Sequence, residues 1–116
     1  MVPQGGERRA RGRQYNLGLL YDRGEGVTRD PARARSLYLK AAAAGVAEAQ
    51  HNLGVLYANG EGVGRDDVLA YMWLHLAAGN GLKQAKAFGD ALSRRMKPAD
   101  IAEAKKRLRA RRPKGK

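Results

Sequence analysis

One feature constrains this chain before any other: it repeats itself at an offset of 36 residues. Gln14-Tyr15-Asn16-Leu17-Gly18-Leu19-Leu20-Tyr21 lines up with Gln50-His51-Asn52-Leu53-Gly54-Val55-Leu56-Tyr57, and Gly24-Glu25-Gly26-Val27-Thr28-Arg29-Asp30 with Gly60-Glu61-Gly62-Val63-Gly64-Arg65-Asp66. Ala34, Ala41, Ala42, Gly45 and Ala49 then match Ala70, Ala77, Ala78, Gly81 and Ala85. About half of the positions agree over a full period, and a third copy starts near Lys83 and fades after Ala85. A period of this length means one supersecondary unit stacked on copies of itself, because a single unit cannot bury its own apolar face.

Each unit reads as two helices. Ala49, Leu53, Leu56 and Tyr57 recur at helical spacing, and the Gly-Glu-Gly-Val segment stops the first helix because glycine accepts positive φ. Asp30 caps the second helix with Pro31 at its first position, and Asp66 stands ready to cap in the second unit. Leu37, Tyr38 and Ala41, then Trp73, Leu74 and Ala77, mark the inner face of the second helices, and Gly45 and Gly81 end them. Gly18 and Gly54 stand in mid-helix at a cost of about 1 kcal/mol each relative to alanine; close approach of the partner helix is the expected return. Nothing alternates with a period of two, so the fold is all-α.

These residues resemble the Sel1-like repeat, a relative of the tetratricopeptide repeat. Ala49, Leu53, Gly54, Tyr57, Gly60, Gly62, Val63, Asp66, Ala77, Ala78 and Gly81 fall on its pattern. The first copy fits from Leu17 onward but has Arg13 where the pattern has alanine. The resemblance covers about residues 14–94. It implies a short α-solenoid of antiparallel helix pairs that binds proteins or peptides as an adaptor or scaffold, without enzyme activity. The stretch from Met96 to Ala104 is similar to the closing helix of many bacterial members, although Lys97 stands where Thr or Ser often caps it. Cysteine-rich relatives associated with β-lactams are a poor match, since this chain has no cysteine.

The expected organisation is a disordered basic segment over 1–12, repeats over 13–95 (about 14–49, 50–85 and a partial third over 83–95), a basic helix over 96–112 and a disordered tail over 113–116. The formal charge of +12 divides accordingly: +3 over residues 1–13, zero over 14–93 and +9 over 94–116. A basic tail invites a polyanion reading, with RNA, DNA or an acidic surface held by Lys105, Lys106, Arg107, Arg109, Arg111 and Arg112. No aromatic residue follows Phe88, so the tail offers no stacking platform for unpaired bases, and nucleic acid ranks behind a protein partner. Ile101, Ala104 and Leu108 form a narrow apolar stripe, joined by Met96, suited to covering the last repeat.

Chemistry has little to stand on. His51 and His75 are the only histidines, and no His/Glu spacing of a metal pair accompanies them. Ser36 and Ser93 lack the setting of a nucleophile. The glycine loops follow helices rather than strands, so they read as turns and not as phosphate cradles. No catalytic residue, metal or cofactor is expected. Tyr21, Tyr38, Tyr57, Trp73 and Phe88 read as core, and His51, at the place of Tyr15, as a variable surface position.

By analogy with tetratricopeptide repeats, the concave face would carry Tyr15, Leu19 and Arg23 from the first unit and His51, Val55 and Asn59 from the second. Asn16 and Asn52 lie beside them, placed to bond either a ligand backbone or the neighbouring repeat's backbone. With two full units and no polar capping helix ahead of them, the chain is expected either to pair through its first repeat or to lack repeats upstream. With no secretory signal and no membrane-spanning run, its expected place is the cytoplasm; export would require a longer N-terminus.

Overall fold

In the computed structural model the structure describes residues 4–111, with side chains from 12 onward. Six helices follow one another: α1 (Gln4–Arg23), α2 (Pro31–Ala43), α3 (Ala47–Asn59), α4 (Asp67–Gly79), α5 (Gln84–Ser93) and α6 (Pro98–Arg111). No strand occurs among the described residues. Helix α1 starts inside the 1–12 segment expected to lack regular structure. Glu7, Arg8, Arg9, Ala10 and Arg11 are good helix formers that extend the helix backward from the repeat. The expected tail over 113–116 lies outside the described residues.

Local chemistry sets the boundaries. The Asp30 carboxylate accepts from the Arg33 amide at 3.1 Å and Asp66 from the Leu69 amide at 3.0 Å, each satisfying an amide that lacks a partner in the first turn. Gly60 closes α3 in the left-handed region at φ 69°, and Gly45 and Gly81 follow α2 and α4 at φ 98° and 106°.

Each helix packs on its sequence neighbour from α1 through α5, and α6 turns back onto α4. The result is two layers, with α1, α3 and α5 in one and α2, α4 and α6 in the other. The core lies between them and contains Tyr38, Leu53, Leu56, Trp73 and Leu74, each at most 2% exposed. The mid-helix glycines have the expected purpose. A Cβ on Gly54 would stand 2.8 Å from Leu74 Cγ and 3.1 Å from the Ala70 carbonyl oxygen, and one on Gly18 would stand 2.8 Å from the Tyr38 ring.

At the far end, Ala104 and Leu108 are buried beside Met96, with Ile101 packed against them. The apolar stripe of α6 therefore covers α4, as its spacing predicted. Phe88 departs from expectation: it is 44% exposed rather than core. It occupies the repeat position of Asn16 and Asn52, which lies on the outer side of the first-helix layer.

Candidate interaction surface

The first-helix layer brings together several of the residues that the pattern pointed to. Tyr15 is half-buried against Tyr38, ring centroids 6.0 Å apart. Burial, reinforced by the negative charge of Glu48, raises its phenol above the usual value, while a hydrogen bond from Asn52 and the charge of Arg23 pull the other way. The Tyr38 hydroxyl donates to Asp22 Oδ2 at 2.9 Å. Burial, then this carboxylate, pushes the Tyr38 phenol well up, and Asn52 again opposes. Asn52 lies near both phenols of the preceding repeat and opposes both upward shifts.

His51 is half-buried rather than a free surface residue. Its ring meets Phe88 edge-on, with centroids 5.5 Å apart and planes at 88°. Desolvation lowers its pKa from the ordinary 6.5, and its Nδ1 is buried with no hydrogen-bond partner among the described residues. Leu19 and Val55 are half-buried against the core. Asn16, Arg23 and Asn59 are exposed at the edge, with Asn59 donating to Glu61 at 3.2 Å. Asp22 and Glu48 join this surface without having been singled out, and Phe88 joins it after reading as core. For Phe88 a signal existed, since the offset of 36 places it on Asn52.

Beside these residues the α2–α3 and α4–α5 loops border an open depression of about 500 Å³, lined by Val46, Glu48, Asn80 and Leu82 among others. Among the described residues no group of three or more His, Cys, Asp or Glu side chains could hold a metal ion. No described helix is long and apolar enough to cross a membrane.

The glycine loops prove to be contacts between repeats. Gly62 presses on the start of α2, where a Cβ would fall 2.3 Å from the Ala32 amide nitrogen. Arg29 of the first loop pairs with Glu61 of the second and donates from Nε to the Asp22 carbonyl at 2.7 Å.

On α6, Lys105, Lys106, Arg107, Arg109 and Arg111 are exposed; Arg112 lies outside the described residues. Arg107 pairs with Glu103 at 2.9 Å, and the Arg111 guanidinium lies 4.5 Å from the centroid of the Trp73 ring.

Antiparallel helix pairs in two layers, with the same helix caps and the same close glycine approach within each copy, define an α-solenoid of helical repeats. The family model described as "Sel1 repeat" matches residues 14–46 and 47–82, and the chain belongs to that family. Among solved structures it is similar to a Sel1 repeat protein from Oxalobacter formigenes, with 35% identity and a TM-score of 0.70 over 80% of this chain and 37% of that one. It is also similar to c5321, a protective antigen present in uropathogenic Escherichia coli strains displaying an SLR fold, with 34% identity and a TM-score of 0.68 over 87% of this chain and 24% of that one. The chain therefore spans well under half the length of either. No curated protein matches it. Sel1 repeats are typically protein-interaction modules and generally non-catalytic scaffolds.

Proposed function

We propose that the chain is a non-enzymatic interaction module that holds a segment of a partner protein across its concave first-helix layer. The supporting observation is a run of side chains crossing α1, α3 and α5 that the core does not absorb. Tyr15 and Asn52 are followed by His51 and then by Phe88, which is 44% exposed. Aromatic edges give apolar contact at low entropic cost, and the exposed amides of Asn16 and Asn59 can bond a partner's backbone.

A photo-crosslinking residue placed at Asn16 or Asn59 should capture the partner in cells, while one at Ser36, exposed on the second layer, should not. Adducts arising only from Ser36 would overturn the assignment. Replacing Asn16 and Asn59 by alanine should weaken capture while circular dichroism shows the fold intact, since both are exposed.

A second surface supports pairing of two copies through α1, where Leu17 and Leu20 are 42% and 38% exposed. Sedimentation equilibrium should show a dimer that Leu17→Lys with Leu20→Lys dissociates. A monomer at high concentration removes this reading.

A further inference from the structure

Eight basic residues lie between Arg94 and Arg111, and the fold sorts them. Arg95 donates to the Asp67 carboxylate at 2.9 and 3.2 Å and to the Ala58 carbonyl oxygen at 2.7 Å. Arg107 pairs with Glu103, and Arg111 covers Trp73. Arg94 lies near Asp90. Lys97, Lys105, Lys106 and Arg109 are exposed and make no ion pair among the described residues.

Lys105, Lys106 and Arg109 share one face of α6, since Arg109 stands four residues from Lys105 and three from Lys106, the spacings that are neighbours on a helix of 3.6 residues per turn. Ala102 completes that face, and no acidic side chain stands on it. Ala104 and Leu108 point the other way, into α4. Docking along α4, with Arg111 over Trp73 near the far end, holds the three cations as a fixed array rather than a loose tail.

That geometry narrows the ligand. The apolar stripe of α6 is consumed against α4, so the helix keeps no apolar face to insert into a bilayer. The absence of any aromatic residue after Phe88 leaves nothing to stack unpaired bases on. What remains is a set of donors for regularly spaced phosphates, which position a duplex without reading its sequence. We infer that the outward face of α6 binds the phosphodiester backbone of double-stranded nucleic acid through Lys105, Lys106 and Arg109. This site is separate from the first-helix layer and does not depend on its role.

Fluorescence anisotropy of the full chain with short DNA and RNA duplexes, across a salt series, tests it. Three phosphate contacts alone imply about a 40-fold loss of affinity between about 50 and about 200 mM salt. Joint replacement of Lys105, Lys106 and Arg109 by alanine should make the log–log salt slope shallower by about 1 per residue. Lys40→Ala, on exposed α2 surface, should leave the slope alone, and unchanged circular dichroism should show that every variant is folded. The single charge reversal Lys105→Glu should weaken duplex binding in the same assay. No binding at low salt, or an unaltered slope in the triple variant, overturns the proposal. So does binding to acidic vesicles or polyglutamate that is as tight as binding to the duplex.

Discussion

Leu17 and Leu53 occupy the same position of the same repeat, yet one is 42% exposed and the other is wholly buried. Leu20 and Leu56, at 38% and 2%, differ in the same way. Gly26 faces open space at a position where Gly62 lies against the backbone of Pro31 and Ala32. The two units have nearly the same local structure and differ in what stands in front of them, since α3 has α2 to pack on and α1 has no counterpart among the described residues. Part of each repeat's sequence is therefore written for its neighbour. Without the neighbour, the same residues become surface.

Substitutions at paired positions turn that contrast into numbers. Leu53→Ala should cost about 3–5 kcal/mol, because it leaves a cavity in a packed core, and Leu17→Ala less than about 1 kcal/mol. Urea unfolding would measure both, and equal losses would mean that Leu17 is covered in solution. Gly62→Ala should cost about 2–4 kcal/mol, combining a left-handed backbone with a collision against α2. Gly26→Ala meets nothing and should cost only the conformational part, about 1–2 kcal/mol.

Next in size is Tyr38→Phe, which removes the donor to Asp22 for about 1 kcal/mol; Leu74, its counterpart in the second repeat, makes no such bond. The ring nearest a first-layer neighbour also differs between repeats, with His51 standing where the first has Tyr15. Burial favours neutral His51, so its proton NMR titration should have a midpoint below 6.5. Because the folded value is the lower one, stability should fall as pH drops from 6.5 toward that value. A midpoint at or above 6.5 would mean the ring is not desolvated against Phe88.

The smallest effect is that of the loop pair. Arg29, and then Asn59, hold the Glu61 carboxyl below its ordinary 4.5. Its stabilisation is therefore present above pH 4.5 and is lost as pH falls through the lower folded value. Acid titration of the melting temperature should be slightly flatter in Glu61→Gln. Glu25, at the same position of the first loop, makes no ion pair among the described residues, so Glu25→Gln should leave the melting temperature at neutral pH unchanged.

Much of the architecture was legible because it depends on residues close along the chain. Asp30 and Asp66 cap the turns that follow them, Gly45 and Gly81 take the left-handed backbone that ends their helices, and the stripe of Ile101, Ala104 and Leu108 announces a docked face. Gly18 and Gly54 were readable as close approaches because a mid-helix glycine costs stability unless something else packs there. The interaction surface was less legible. His51 looked like variable surface and Phe88 like core, because each is defined by the other across 37 positions of sequence. Asn52 offered hydrogen-bonding capacity, but the phenols it stands near, Tyr15 and Tyr38, lie in the preceding repeat.

By itself, the sequence determined an all-α fold, the period, the helix ends, the Sel1-like pattern and the confinement of excess charge to the chain ends. These follow from backbone preferences and from apolar spacing, which act within a few residues or recur at a fixed interval. Only the tertiary structure decided that α6 folds back along α4, that some tail arginines are engaged while Lys105, Lys106 and Arg109 face outward, and that the first repeat leaves Leu17 and Leu20 exposed. Each of those facts is set by which helix comes to lie against which. Packing depends on surfaces brought together from distant parts of the chain, and no local preference specifies them.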